Sequence, residues 1–76
     1  MNNPRRKKLE SIAERLEALR DELEEIMGEE QEAFDNLPEQ FQYGERGEAM
    51  EEAIGSLEEA FEDLDGAVES IYEAIE

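Results

Sequence analysis

The chain of 76 residues contains no cysteine, no histidine and no tryptophan. The absence of cysteine excludes disulfides and thiolate metal sites. The absence of histidine removes the commonest metal ligand and the side chain that titrates most readily near neutral pH. The remaining residues do not supply a nucleophile, a base and an orienting group together. We therefore expect no catalytic residue, no cofactor and no resident metal ion.

Long hydrophobic runs are also absent. No apolar stretch approaches the ~20 residues of a membrane span, and the basic residues near the N-terminus are not followed by the apolar core of a signal peptide. We therefore expect no membrane partner and a cytoplasmic location.

Positive charge is scarce and is concentrated near the N-terminus. Residues 1–20 contain six Lys and Arg and three Glu, a balance of +3, whereas residues 21–76 contain one Arg and 21 acids, a balance of −20, and together these give the net charge of −17. Acidic chains that are disordered lack apolar periodicity, but this chain has a regular apolar pattern. We expect folded helices with the charge on their outer faces.

Two apolar stripes, one in each half of the chain, predict two long amphipathic helices. Their residues alternate in steps of three and four, which is the 3.5-residue period of a coiled-coil seam. The first stripe comprises Leu9, Ile12, Leu16, Leu19, Leu23 and Ile26, and the second comprises Met50, Ile54, Leu57, Phe61, Leu64, Val68, Ile71 and Ile75. Neither stripe can be buried unless the two halves meet.

Capping and breaking residues set the helix limits. Asn3 is a candidate N-cap with Pro4 at the first helical position, and the pair Leu37 and Pro38 ends the first helix. We predict one domain over residues 1–76, with helix 1 over 4–35, a connection over 36–45 containing a helical turn at 38–43, and helix 2 over 46–75. The short connection favours an all-α fold, an antiparallel two-helix coiled-coil hairpin.

Alanine recurs every seven residues on helix 2, immediately before alternate seam positions. Small residues beside a seam widen the apolar face and allow a neighbouring backbone to approach. A lone hairpin of this size has little core, so we expect a homodimer that forms a four-helix bundle. The expected self-association residues are Ala53, Ala60, Ala67 and Ala74. A monomer whose open face binds another protein is the alternative.

The basic run Arg5, Arg6, Lys7 and Lys8 could contact phosphates. The charge of −20 on the rest of the chain would repel nucleic acid, so we expect no direct nucleic-acid binding. In an antiparallel hairpin the basic run would instead pair with acids near the C-terminus.

Rows of carboxylates on the outer faces of both helices predict a protein partner with a basic surface. A rigid rod with such rows resembles the charge pattern of a nucleic-acid backbone. The acidic surface comprises Glu51, Glu52, Glu58, Glu59, Glu62, Asp63, Asp65, Glu69 and Glu73 on helix 2, continued by Asp21, Glu22, Glu24, Glu25, Glu29, Glu30 and Glu32 on helix 1. Alternatively, these acids only keep the helices soluble.

The segment 29–54, EEQEAFDNLPEQFQYGERGEAMEEAI, resembles small acidic helical proteins encoded by phages and prophages of Gram-positive bacteria. Its distinctive parts are residues 33–39 and 45–48. The resemblance implies a non-enzymatic inhibitor of host defence or of host nucleic-acid machinery, a class that includes anti-CRISPR proteins. The alternative is a structural coiled-coil module that pairs with itself or with another phage protein. Its binding residues would be the aromatic residues near the hairpin tip, Phe34, Phe41 and Tyr43.

Overall fold

The computed structural model describes residues 1–76 and contains helices but no strand. Helix α1 spans Asn3–Asp35, the short helix α2 spans Glu39–Gln42, and helix α3 spans Glu45–Ile75. α1 and α3 pack against each other as an antiparallel pair. The Cα atoms occupy 58 × 14 × 13 Å, so the molecule is a rod. The prediction of an all-α helical hairpin is confirmed.

The start of α1 differs from the prediction by one residue. Asn2, not Asn3, is the N-cap, and its Oδ1 atom accepts a hydrogen bond of 2.9 Å from the backbone N–H of Arg5. Asn2 has the extended backbone conformation that an N-cap requires, and this leaves Asn3 free to begin the helix. Neither long helix combines the length and hydropathy needed to cross a bilayer.

The connection folds back tightly because its backbone groups are satisfied locally. Pro38 has an extended backbone, and its carbonyl accepts from Phe41 N–H at 2.8 Å and from Gln42 N–H at 3.2 Å, which forms α2. The Gln42 side-chain amide donates to the carbonyls of Phe34 and Leu37, both at 3.1 Å. The Phe34 carbonyl lies in the last turn of α1 and also accepts from Leu37 N–H at 3.1 Å, and the Leu37 carbonyl belongs to the connection. Gln42 therefore fixes the tip of the hairpin to the end of α1.

The seam predicted for the second long helix is the one that α3 uses. Every member of the predicted stripe from Met50 to Ile75 is buried or half-buried, and Ile54 and Val68 are the most enclosed. Gly47 extends the same spacing by one step toward the tip and is also buried. α3 therefore holds one heptad phase along its whole length.

The predicted seam of α1 is only half right. Leu9, Leu16 and Leu23 are half-buried, as expected. The residues that alternate with them in the prediction are exposed, by 38% at Ile12, 53% at Leu19 and 54% at Ile26. The neighbouring stripe faces α3 instead, and in it Ala13 is buried and the others are half-buried, namely Arg6, Arg20, Met27 and Phe34.

Both stripes of α1 alternate with the same leucines in steps of three and four, so spacing alone does not separate them. The buried stripe has the larger apolar residues at the tip, where Met27 and Phe34 pack instead of Ile26 and Ala33. Of its two charged residues, Arg20 is accommodated by an ion pair with Asp65 on α3, whereas Arg6 has no ion pair. Burial of the larger residues and pairing of the charge together favour this phase.

Candidate protein-interaction surfaces

The two sides of the hairpin can be identified from the contacts between α1 and α3. The Tyr72 hydroxyl lies close enough to the Glu17 carboxylate for that carboxylate to raise its pKa, and Arg20 binds Asp65 at 2.7 Å. Tyr72 and Asp65 each follow a seam residue of α3 directly, and Glu17 follows a seam residue of α1. On both helices, residues that directly follow a seam position therefore lie on one side of the rod. Residues that directly precede a seam position lie on the other side.

The side that contains Glu17 and Tyr72 is rich in carboxylates. The interaction with Glu17 raises the pKa of Tyr72, and partial burial and the charges of Glu14 and Glu10 raise it further. The direction follows because each nearby negative charge disfavours a phenolate. The carboxylates of Glu10, Glu14 and Glu17 therefore lie near Tyr72.

The predicted acidic surface is accessible along both long helices. All of its α3 members are exposed, and so are its α1 members apart from Glu30, which is half-buried at an interior heptad position. The 58 Å length of the rod divided by 17 net charges gives one net negative charge per 3.4 Å. Arg20 is the only basic residue that forms hydrogen bonds with acids of this surface.

The basic run near the N-terminus does not form the ion pairs expected with the C-terminal acids. Arg20 is the only basic residue with a carboxylate oxygen within 4.0 Å, and its partners are Asp65 and Asp21. Arg5, Lys7 and Lys8 are exposed, and Arg6 is half-buried with its Nε atom enclosed and without a hydrogen-bond partner. Exposed lysine and arginine heads gain little from fixed pairing because water solvates them well. The expected pairing is therefore wrong at the level of direct contacts.

The opposite side of the rod presents an apolar face, and the sequence prediction placed the α1 half of this face in the core of the hairpin. On α1 this face contains the exposed side chains of Ile12, Leu19 and Ile26. On α3 it contains the predicted self-association residues, of which Ala60 is half-buried and the others are exposed. The complete apolar face comprises Ile12, Leu19, Ile26, Ala53, Ala60, Ala67 and Ala74. In the sequence, each residue of this face directly precedes a seam position of its own helix.

The aromatic residues at the hairpin tip differ in exposure. Phe34 is half-buried against the connection, whereas Phe41 is 48% exposed and Tyr43 is 78% exposed. The tip therefore presents two accessible aromatic rings, and Phe34 contributes to packing.

The surface contains no pocket, and no group of three acidic side chains is arranged to hold a metal ion. No protein-family model, curated protein or solved structure matches the chain. The surfaces described above are therefore the features from which a function can be argued.

Proposed function

We propose that the chain is a non-enzymatic, acidic interaction protein that occupies the basic nucleic-acid-binding site of a host protein and inhibits it. The observation on which this proposal rests is the exposure of nearly all acids of the acidic surface on one rigid rod. In this mechanism the carboxylates take the place of phosphates, and the inhibited protein is one of host defence or nucleic-acid metabolism.

The density of charge on the rod supports this function. One net negative charge per 3.4 Å matches one strand of duplex DNA, which has a phosphate at intervals of about 3.4 Å. A basic groove that binds DNA gains most of its affinity from such charges, so it can accept a rod of similar charge density. Because the helices hold the carboxylates in place, binding does not require the ordering of a flexible chain.

The resemblance of residues 29–54 to small phage and prophage proteins supports a role in the cytoplasm of a bacterial host. The proposed active form is a homodimer in which two hairpins form a four-helix bundle. Dimerisation doubles the number of carboxylates available to one basic partner and so raises the strength of the electrostatic attraction.

The test begins with affinity capture from a Gram-positive host lysate, followed by purification of a captured nucleic-acid-binding protein. Its binding to the chain is then titrated in rising salt and with a short DNA duplex as competitor. We expect affinity to fall steeply with salt and the duplex to displace the chain. A captured partner that is insensitive to both salt and duplex would contradict the proposal.

A charge-matched pair of variants localises the binding surface. The test variant combines Glu58→Gln, Glu59→Gln, Glu62→Gln and Asp63→Asn, all at exposed positions of α3. At roughly 0.5 kcal/mol per exposed charge, we expect about a 30-fold loss of affinity with no loss of helix content. The control makes the same change in net charge outside the acidic surface, with Glu10→Gln, Glu14→Gln, Glu39→Gln and Glu76→Gln. Equal losses in both variants would indicate only a dependence on net charge.

The exposure of Phe41 and Tyr43 favours a second candidate function, a structural module that binds another protein through the hairpin tip. Exposed aromatic residues often dominate the energetics of protein interfaces. In that case Phe41→Ala and Tyr43→Ala would abolish partner binding, and the amide variant on α3 would bind normally.

A further inference from the structure

We infer that the apolar face binds a second copy of this chain, with the two hairpins related by a twofold axis parallel to the rod and their tips at the same end. This inference rests on the homodimer in the proposed function and assigns its interface, including residues of α1 that the sequence placed inside the hairpin. The second copy covers Ile12, Leu19 and Ile26 with the alanine stripe of its own α3.

The face is regular along the rod. Ile12, Leu19 and Ile26 are spaced by seven residues, which corresponds to about 10.5 Å along a helix. The alanines of α3 repeat at the same interval. Repeated spacing of this kind suits helices of a second molecule and does not suit a compact ligand. Its most exposed large side chains, Leu19 and Ile26, are about half exposed, at 53% and 54%.

The contacts between α1 and α3 set which residues of the face are level with each other. Arg20 binds Asp65, and Glu17 lies beside Tyr72, so a step toward the tip on α1 corresponds to a step toward the tip on α3. Within about one helical turn, this register pairs a large residue of α1 with an alanine of α3 at each level. The pairs are Ile12 with Ala74, Leu19 with Ala67, and Ile26 with Ala60.

The surface area agrees with one partner of this size. A compact protein of 8.8 kDa exposes about 4,800 Å², whereas this chain exposes 5735 Å², an excess of roughly 900 Å². A standard stable interface buries about 800 Å² on each partner. Burial of the apolar face by a second hairpin would therefore bring the exposed area per chain close to that of a compact protein.

Side-chain size determines the orientation. With the twofold axis along the rod, α1 of each copy lies over α3 of the other, so Leu19 of one copy packs on Ala67 of the second copy. With the tips at opposite ends, Leu19 would meet Leu19 and Ala67 would meet Ala67. Facing positions pack best when large residues meet small ones. The first orientation achieves this at the three levels from Ile12 to Ile26 and leaves the acidic surfaces of both copies on the outside.

The first experiment compares two aspartate variants at adjacent positions. Leu19→Asp places a charge in the apolar face, and Ala18→Asp places the same charge on the exposed outer side of α1. Because a twofold interface loses the leucine twice, we expect Leu19→Asp to weaken dimerisation by about 100-fold in sedimentation equilibrium. Ala18→Asp is expected to dimerise like the wild type. A wild-type chain that sediments as an 8.8 kDa monomer at high micromolar concentration would overturn the inference.

The second experiment remains decisive if Leu19→Asp fails to fold. The chain has no cysteine, so Leu19→Cys and Ala67→Cys introduce single thiols. Mixed Leu19→Cys and Ala67→Cys chains are expected to form an intermolecular disulfide on mild oxidation, and Leu19→Cys chains alone are expected to form little. Preferential cross-linking of Leu19→Cys chains with each other would overturn the proposed orientation. The absence of cross-links both in the mixed sample and in Leu19→Cys chains alone would overturn the interface.

Salt dependence separates a failure of this inference from a failure of the proposed function. Each chain has a net charge of −17, so added salt screens the repulsion between copies and is expected to strengthen dimerisation. Salt is expected to weaken binding to a basic partner. A salt-strengthened dimer without any basic partner would support this interface and contradict the proposed function. A monomer that binds a basic partner in a salt-sensitive manner would contradict this interface and support the proposed function.

Discussion

The guanidinium of Arg20 donates a hydrogen bond of 2.7 Å to the carboxylate of Asp65 across the helix pair. Arg20 occupies an interior heptad position and its side chain is 23% exposed, whereas that of Asp65 is 56% exposed. The bond to Asp65 raises the pKa of Arg20, although partial burial opposes this effect, and the charge of Asp21 raises the pKa further. The arginine stem packs in the seam while its charged head reaches a partner. The pair thereby specifies one register between α1 and α3.

Substitutions at this pair are expected to show how its charge and its packing each affect the stability of the folded chain. Asp65→Asn removes the nearer charged partner and should lower the melting temperature by a few degrees, because Arg20 stays partly buried with only the longer contact of 3.4 Å to Asp21. Arg20→Met, which fills the position with an apolar side chain, should leave the melting temperature unchanged or raise it. Circular dichroism melts of both variants and of the double variant measure the coupling. A larger loss for Arg20→Met than for Asp65→Asn would contradict this view.

The seam of α3 could be predicted because this helix has one apolar phase. The seam of α1 could be predicted only in part because its residues fit two phases. The stripe from Met50 to Ile75 has no apolar competitor except alanine, so spacing identified the buried side. On α1, the leucines alternate equally well with the stripe of Ile12 and with the stripe of Ala13. Only the partner helix decides between them, through packing near Phe34 and the charge on Asp65. A single sequence does not display that tertiary contact.

The candidate surfaces were predicted to different extents for the same reason. Carboxylates at outer heptad positions are exposed whichever side of α1 is buried, so nearly all residues of the acidic surface are exposed as expected. The half-buried Glu30 is the exception, because it lies in the seam phase of Leu16 and Leu23. The apolar face was half predicted, since its alanines were identified but Leu19 and its neighbours were assigned to the hairpin core.

Gly47 at the start of α3 is expected to be intolerant of alanine. A Cβ atom at this position would clash with the backbone carbonyl of Gln42 in the hairpin tip, and a backbone group cannot rotate away as a side chain can. We expect Gly47→Ala to destabilise the protein by roughly 2 kcal/mol, as for an overpacked core. Chemical denaturation followed by circular dichroism measures the change.

The other helical glycines provide matched controls for this substitution. A Cβ atom at Gly28, Gly55 or Gly66 would have nothing within 4 Å. We expect alanine at each of these positions to stabilise the protein by up to about 1 kcal/mol through higher helix propensity. If Gly47→Ala were to stabilise the protein like Gly55→Ala, the close approach of the tip to α3 would be contradicted.

Tyr72 predicts a loss of stability at alkaline pH. Its folded-state pKa is raised, first by the Glu17 carboxylate. The stabilising contribution is therefore fully present below the ordinary tyrosine pKa of about 10 and is lost as the pH rises through the folded-state pKa. Tyr72→Phe is expected to reduce the alkaline fall in melting temperature. In a Tyr43→Phe background Tyr72 is the only tyrosine, so its titration can be followed by tyrosinate absorbance. An unshifted titration would contradict the placement beside Glu17.

The density of negative charge predicts that salt stabilises the folded chain. With 24 acids against 7 basic residues, repulsion between carboxylates on neighbouring helical turns opposes the compact state at neutral pH. Sodium chloride screens this repulsion, so the melting temperature at fixed protein concentration is expected to rise between low and physiological salt. The amide variant at Glu58, Glu59, Glu62 and Asp63 tests the cause, because it should melt higher in low salt and respond less to added salt. A melting temperature that is independent of salt in the wild type would mean that the acids are compensated locally. The acidic surface would then be a weaker substitute for a nucleic-acid backbone, and the proposed competition with DNA would lose its electrostatic basis.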